Sequence, residues 1–353
     1  MAEKVLMKGN EAIAEAAILA GCRHYFGYPI TPQTEIAAYM AKRMPKIGGC
    51  FLQAESEVAA INMVYGLAST GKRVMTSSSS PGISLKAEGL SYMAGSDLPA
   101  LVVNVQRGGP GLGGIQPSQS DYFQATRGGG HGDYHMIVLA PASVQEMASL
   151  TFKGFDLAEK YRVTSMILAD GTMGQMMEPV ELEMGEVNEH DKSWAVTGTK
   201  MARKHNIINS LSLNSEQLEQ QNFERFERYK KIEENEVMYE EFMMDDAEIC
   251  VVAFGIASRV SKNAIMEARA KGIKVGMIRP ITLWPFPKKA LETAAEKCKA
   301  FISVELSMGQ MIEDVELAIR CKRPVTLCNR VGGMIPSSEQ VLATIEQVQG
   351  GLE

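Results

Sequence analysis

The sequence predicts an α/β protein made of two doubly wound domains joined by a charged connector. Three observations carry this. Short apolar runs alternate with longer amphipathic runs over about the first 180 residues, and the alternation resumes at Ala247. Strand–helix alternation of this kind builds a parallel sheet covered by helices on both faces. Ala100-Leu-Val-Val-Asn-Val105 is almost wholly apolar, as a strand buried on both faces should be. Between the two alternating regions the pattern breaks down into Gly, Pro and charge, which is linker composition. The length of 353 residues fits two domains at roughly 150 residues each.

In chain order, the first region offers candidate strands at His24–Gly27, Cys50–Gln53, Arg73–Thr76, Ala100–Gln106, Met136–Leu139 and Arg162–Leu168. Candidate helices are Glu11–Ala20, Thr34–Met44, Glu55–Ser69, Ile83–Ala94, Ser118–Thr126 and Ser143–Glu159. From about Asp170 to Met201 no periodicity survives. Between Glu224 and Asp246, 13 of 23 residues are charged, and Phe223, Phe226, Tyr229 and Ile232 recur every third residue. That spacing suits one face of a solvated linker helix. The second region reads as strand Ile249–Phe254, a helix from Gly255 to about Lys271, and strand Lys274–Met277. Helix Lys288–Lys297, strand Ala300–Val304, helix Gln310–Ile319, strand Pro324–Leu327 and helix Ser338–Val348 complete it.

Composition excludes several functions. Lys plus Arg is 36 and Asp plus Glu is 42, a net charge of −6, which gives no electrostatic reason to bind nucleic acid or anionic lipid. No apolar run reaches the roughly 18 to 20 residues of a membrane span. The start, MAEKVLMKGNEAIAEAAILAG, has charges within its apolar region, so it reads as a first structural element rather than a signal peptide. A cytoplasmic location is expected. The six cysteines form no C-x-x-C pair, and the closest two are seven apart. Iron–sulfur and zinc sites want closer ligands, so buried reduced thiols are expected and no metal ligand is assigned. The 23 methionines read as adaptable core filling.

In open parallel sheets, ligands bind beyond the carboxyl ends of the strands. Four unusual segments follow strands directly: Tyr28-Pro-Ile-Thr-Pro32, Ala54-Glu-Ser-Glu57, Ser77-Ser-Ser-Ser-Pro-Gly82 and Arg107-Gly-Gly-Pro-Gly-Leu-Gly-Gly114. Each has a plainer explanation alone: a proline-shaped turn, dipole-complementing acids, a capped helix start, a rim charge. Together on one sheet edge they make a cleft holding hydroxyls, a carboxyl pair and an arginine. Gly109–Gly114 satisfies G-x-G-x-x-G, but it does not open a helix tightly after the first strand, which a dinucleotide site requires. His131 and His135 lie four apart in a glycine-rich loop, where that spacing does not put both on one face.

Tyr28-Pro-Ile-Thr-Pro32, Glu57 with Ala59, Ala60 and Gly66 behind it, Ser79-Ser-Pro-Gly82 and Val105-Gln-Arg-Gly108 together resemble the alpha subunit of a 2-oxoacid:ferredoxin oxidoreductase, in the pyruvate:ferredoxin oxidoreductase superfamily. Met277-Ile-Arg-Pro-Ile-Thr-Leu-Trp-Pro-Phe-Pro287 is similar to the transketolase C-terminal domain that follows in that family. The resemblance implies a thiamine diphosphate pyrimidine-binding domain over residues 1–200, a charged linker with a helix over 201–246, and a transketolase C-terminal-like domain over 247–353. It implies that Glu57 is the catalytic acid on N1′ of the aminopyrimidine, with Pro29 beside the cofactor. Thr31 and Arg107 match the substrate-binding positions, with Arg107 on the substrate carboxylate. Glu55 is the competing acid.

No Gly-Asp-Gly segment for Mg²⁺ and diphosphate occurs, so the resemblance implies half a site. A beta subunit would bring diphosphate and Mg²⁺. Gamma and ferredoxin-like delta subunits would carry [4Fe-4S] clusters, with ferredoxin as electron acceptor and coenzyme A as co-substrate. The implied reaction is oxidative decarboxylation of a 2-oxoacid to acyl-CoA and CO₂. The Arg107–Gly111 loop with Gln116-Pro-Ser-Gln-Ser-Asp121 most resembles subunits acting on 3-methyl-2-oxobutanoate (ketoisovalerate). A 2-oxoglutarate subunit, the beta chain of a lipoyl-linked 2-oxoacid dehydrogenase and a non-catalytic α/β binding protein are the alternatives.

Overall fold

A computed structural model describes residues 4–352; the leading Met1–Glu3 of the first segment and Glu353 lie outside the described residues. The first half contains β1 (Lys4–Lys8), α1 (Gly9–Leu19), β2 (His24–Gly27), α2 (Thr34–Arg43), β3 (Cys50–Gln53), α3 (Glu57–Ala68), β4 (Val74–Ser78) and α4 (Pro81–Gly95). It continues with β5 (Ala100–Gln106), α5 (Tyr122–Thr126), β6 (Ile137–Leu139), α6 (Val144–Tyr161), β7 (Thr164–Asp170), α7 (Gly171–Gln175) and β8 (Met177–Glu181). After α8 (Ser215–Asn235) and β9 (Tyr239–Phe242) come β10 (Ile249–Ala253), α9 (Gly255–Ala270), β11 (Val275–Pro280), β12 (Thr282–Trp284) and α10 (Lys288–Lys297). The chain closes with β13 (Ala300–Glu305), α11 (Met311–Ala318), β14 (Val325–Asn329) and α12 (Ser338–Gly350).

Two mainly parallel sheets form the framework. The larger has seven strands in the order β12-β6-β7-β5-β4-β2-β3, and the smaller has five, β14-β13-β10-β11-β9. β4, β5 and β7 are buried along their whole length, which explains their continuous apolar character. Serine side chains start α3, α6 and α12: Ser56, Ser143 and Ser337 each accept from the amide three residues on, worth roughly 1 kcal/mol per cap. Pro81 opens α4, where its missing N–H is harmless. Among the described residues no helix is long and apolar enough to cross a membrane.

Four strands are absent from the sequence reading. β1 pairs antiparallel with β8, Lys4 opposite Glu181, so the stretch after Asp170 is not all irregular. β9 lies on the edge of the smaller sheet beside β11. β12 leaves the second half of the chain and pairs with β6 of the larger sheet, Thr282 opposite Leu139. The predicted helix from Ser118 shortens to α5, because Ser118 and Gln119 bond instead to Leu306. The linker helix is not simply solvated. Arg225, Tyr229 and Ile232 are buried, with Tyr229 packed edge-on against His135 and Trp284. The thiol expectation also needs correction: Cys50 and Cys321 are exposed, whereas Cys22, Cys250, Cys298 and Cys328 are buried, and all six are free.

The halves are locked by polar groups as well as by β12. Gln119 donates to the Phe254 carbonyl at 2.8 Å and accepts from the Leu306 amide at 3.0 Å. Arg279, whose side chain is only 4% exposed, forks onto Glu146 at 2.7 and 2.8 Å and also binds Glu240 at 2.7 Å. Glu146 and Glu240 stay 28% and 32% exposed, so the junction is a half-buried network that links the two halves.

Candidate functional site

β5, β4, β2 and β3 are consecutive and parallel in the larger sheet. The four segments that follow them therefore open on one edge, as the sequence implies. The structure divides them into two neighbouring places.

The first is the seam between α3 and α4. Ser56 caps α3, which puts Glu57 in its first turn, buried, with the carboxyl at the positive end of the helix. Glu55, one residue before the cap, is exposed, so the two acids do not form a pair. Among the described residues no donor reaches the Glu57 carboxyl. Gly82 faces it: a β-carbon there would lie 2.6 Å from Glu57 Oε1 and 2.1 Å from Ser78 Oγ. Only glycine leaves room there for both the carboxyl and this hydroxyl. Ser78 and Ser79 are buried, and among the described residues their hydroxyls have no partner. An unsatisfied buried polar group costs about 1–3 kcal/mol, and functional sites are where such costs persist.

The second place is a cleft of about 800 Å³ between the halves, lined by Arg107, Ser80 and Asp121 on one side and Leu306, Met308 and Val331 on the other. Arg107 is 7% exposed. Its Nη1 donates to the Thr31 carbonyl at 3.0 Å and its Nη2 to the Leu112 carbonyl at 3.1 Å, while Nε has no partner among the described residues. The guanidinium thus ties the Tyr28–Pro32 segment to the glycine loop and keeps donors in reserve. Ser80 Oγ accepts from the Arg107 amide at 3.0 Å and donates to Asp121 at 2.6 Å, and Asn104 donates to the same carboxylate oxygen at 2.8 Å. Burial pushes the Asp121 carboxyl above its ordinary range, against those two donors.

Glu57, Pro29 and Thr31 do not line that cleft. Pro29 and Thr31 are exposed, and Thr31 meets Arg107 through its main chain. The residues present suit an aminopyrimidine: a buried carboxyl without a donor, a glycine cradle a side chain would fill, and spare hydroxyls. Among the described residues no three acidic, histidine or cysteine side chains converge on a metal-sized site. His131 packs edge-on against Tyr92 and His135 stacks on Trp284 at 4.6 Å, so these two rings face different neighbours.

Sequence reasoning missed Lys86 and gave no role to Asn104 or Gln33. Lys86 is fully buried, one turn beyond Gly82. Gln33 accepts from Ser77 at 2.6 Å, and Ser77 also meets the Tyr25 hydroxyl at 2.7 Å. The available signal was position: Lys86 follows Gly82 by four residues and precedes Gly89 by three, on one helix face.

Comparison with known proteins agrees with this architecture. Residues 15–244 match the family described as pyruvate flavodoxin/ferredoxin oxidoreductase, thiamine diphosphate-binding, and residues 247–341 match pyruvate:ferredoxin oxidoreductase core domain II. Ketoisovalerate oxidoreductase subunit VorB of Methanothermobacter marburgensis is 53% identical over 98% of both chains. 2-Oxoglutarate synthase subunit KorA of Methanothermobacter thermautotrophicus is 34% identical, over 98% of this chain and 99% of that one. A solved 2-oxoglutarate:ferredoxin oxidoreductase from Magnetococcus marinus, with 2-oxoglutarate, coenzyme A and succinyl-CoA bound, superposes with TM-score 0.88 at 29% identity. That match covers 98% of this chain, which spans 65% of the length of the other. A split-gene transketolase, 12% identical with TM-score 0.62, shares the fold over 97% of both chains. With one family model spanning more than half of its length and a relative matched end to end, this chain belongs to the pyruvate flavodoxin/ferredoxin oxidoreductase family.

Proposed function

We propose that this chain is the subunit that carries the pyrimidine side of a thiamine diphosphate site in a 2-oxoacid:ferredoxin oxidoreductase, and that its substrate is 3-methyl-2-oxobutanoate. The observation that carries the first part is the Glu57 carboxyl, buried, without a donor and pressed against Gly82. In this reading residues 1–200 form the cofactor-side domain, 201–246 the linker and 247–353 the second domain.

When bound, the cofactor supplies the electron sink that lets a 2-oxoacid lose CO₂. Glu57 would present its buried carboxyl to N1′ of the pyrimidine and exchange the proton there. Gly82 permits that approach. Pro29 borders the ring. Arg107 offers its free donors to the 2-oxoacid carboxylate, a planar anion suited to a guanidinium fork, and Thr31, held by the same arginine, flanks it. Diphosphate and Mg²⁺ come from a beta subunit. The [4Fe-4S] clusters reside on gamma and ferredoxin-like delta subunits, electrons leave to ferredoxin, and coenzyme A takes the acyl group. Absence of disulfides fits a cytoplasmic enzyme.

The substrate choice rests on the loop after Arg107. Between Gly108 and Gln124 there is no Lys or Arg, while Leu112 and Ile115 are exposed there. Arg127, the next cation along the chain, is engaged by Glu313 and Asp314 at 3.5 Å and lies over the Phe123 ring at 4.0 Å. A second substrate carboxylate would thus find no partner on this loop. The 53% identity to a ketoisovalerate oxidoreductase subunit, against 34% to a 2-oxoglutarate synthase subunit, points the same way.

Viologen reduction by the assembled complex tests this. kcat/KM for 3-methyl-2-oxobutanoate should exceed that for 2-oxoglutarate by at least about 10²-fold, since an unpaired buried carboxylate is penalised more than a missing methylene. A preference for 2-oxoglutarate would refute the substrate and leave the cofactor chemistry standing.

A further inference from the structure

Lysine is almost never fully buried unless it is paired, yet Lys86 has 0% exposure in the middle of α4. Its Nζ donates to the main-chain carbonyl of Glu57 at 3.4 Å, a long contact for an ammonium. Two glycines create the enclosure. Gly82 admits the Glu57 carboxyl, and at Gly89 a β-carbon would lie 2.5 Å from Ile61 Cγ2. Residues 82, 86 and 89 share one face of α4, and that face presses directly on Glu57 and Ile61 of α3. Lys86 is thus shut between two helices at closest approach, one turn from the carboxyl. Burial pushes its ammonium down to about 8, and the Glu57 charge acts in the opposite direction. Among the described residues, Glu57 is the charge that acts on it.

A core needing only volume at this point would use methionine or leucine, which avoid the desolvation of an ammonium. We propose that Lys86 is a positioning residue for Glu57: its enclosed charge sets whether the Glu57 carboxyl keeps or yields the proton it presents to the pyrimidine. A cation here stabilises the carboxylate and so favours transfer of the shared proton toward the ring. This rests on reading Glu57 as the carboxyl that meets the cofactor.

The coupling is measurable in the chain without cofactor. With ¹³C-carboxyl glutamate, Lys86→Met should raise the Glu57 titration midpoint, because removing an opposite charge disfavours the carboxylate. Coupling between two sites is reciprocal. Hence Glu57→Gln should lower the Lys86 midpoint below about 8, read from its ε-carbon resonance. This second arm keeps Lys86 in place and stands even where the methionine variant misfolds. In the assembled enzyme, Lys86→Met should lower kcat about tenfold or more, leave KM for the 2-oxoacid unchanged and shift the acid limb of the kcat–pH profile. Midpoints that stay put in both arms overturn the proposal, as does a kcat–pH profile superimposable on wild type. Coupled midpoints with normal turnover in Glu57→Gln would instead show that Glu57 is not the cofactor carboxyl.

Discussion

Glu57→Gln is expected to reduce turnover of the assembled enzyme by about 10²- to 10⁴-fold, the usual contribution of a positioned general acid–base group. The amide keeps the volume, so the contacts with Gly82 and Lys86 survive and the fold should be unchanged by circular dichroism. What it loses is a titratable oxygen at the position proposed to face the pyrimidine. Glu55→Gln is the internal control. Glu55 is exposed and precedes the Ser56 cap, so its substitution should leave stability nearly unchanged and, on the Glu57 assignment, turnover close to wild type. Near-normal rates for Glu57→Gln with a large loss for Glu55→Gln would mean that the catalytic carboxyl is the other one.

Arg107→Lys should lower kcat/KM for the 2-oxoacid by about 10- to 100-fold. A hydrogen bond to a charged group is worth roughly 1.5–3 kcal/mol, and lysine keeps the charge but loses the planar fork. The substitution also cuts the tethers to the Thr31 and Leu112 carbonyls. An ammonium gathers its three donors on one atom and lacks the planar spread by which the guanidinium reaches both carbonyls and a substrate at once. Cofactor retention should change little, because Glu57 and Gly82 lie on the separate α3–α4 seam. An unchanged kcat/KM for every 2-oxoacid tested would remove Arg107 from the site.

The parallel frame was legible because its signals are local. His24–Gly27, Cys50–Gln53, Ala100–Gln106 and Lys288–Lys297 have the bounds that apolar runs and turn residues imply. β1, β8, β9 and β12 were not legible. They are short edge strands whose partners lie far away in the chain, and strand propensity reflects neighbours more than the residue itself. β12 is also embedded in the proline-rich Arg279–Pro287 segment, which local rules assign to a loop. In the site, Glu57, Arg107 and the serine run stood out as unusual residues at strand ends. Their division between the α3–α4 seam and the interdomain cleft did not, because it depends on where Gly82 and the Leu306 loop pack. Lys86 was invisible for the same reason: a lysine in an amphipathic helix reads as surface, and only the close approach enforced by Gly82 and Gly89 buries it.

The half-site claim is tested most directly by calorimetric titration of thiamine diphosphate with Mg²⁺, first into this chain alone and then into the chain copurified with its beta subunit. No Gly-Asp-Gly segment occurs in this sequence, so on the proposed half-site reading binding to the chain alone should be weak or undetectable and binding to the pair tight. Tight, magnesium-dependent binding by the isolated chain would contradict the half-site.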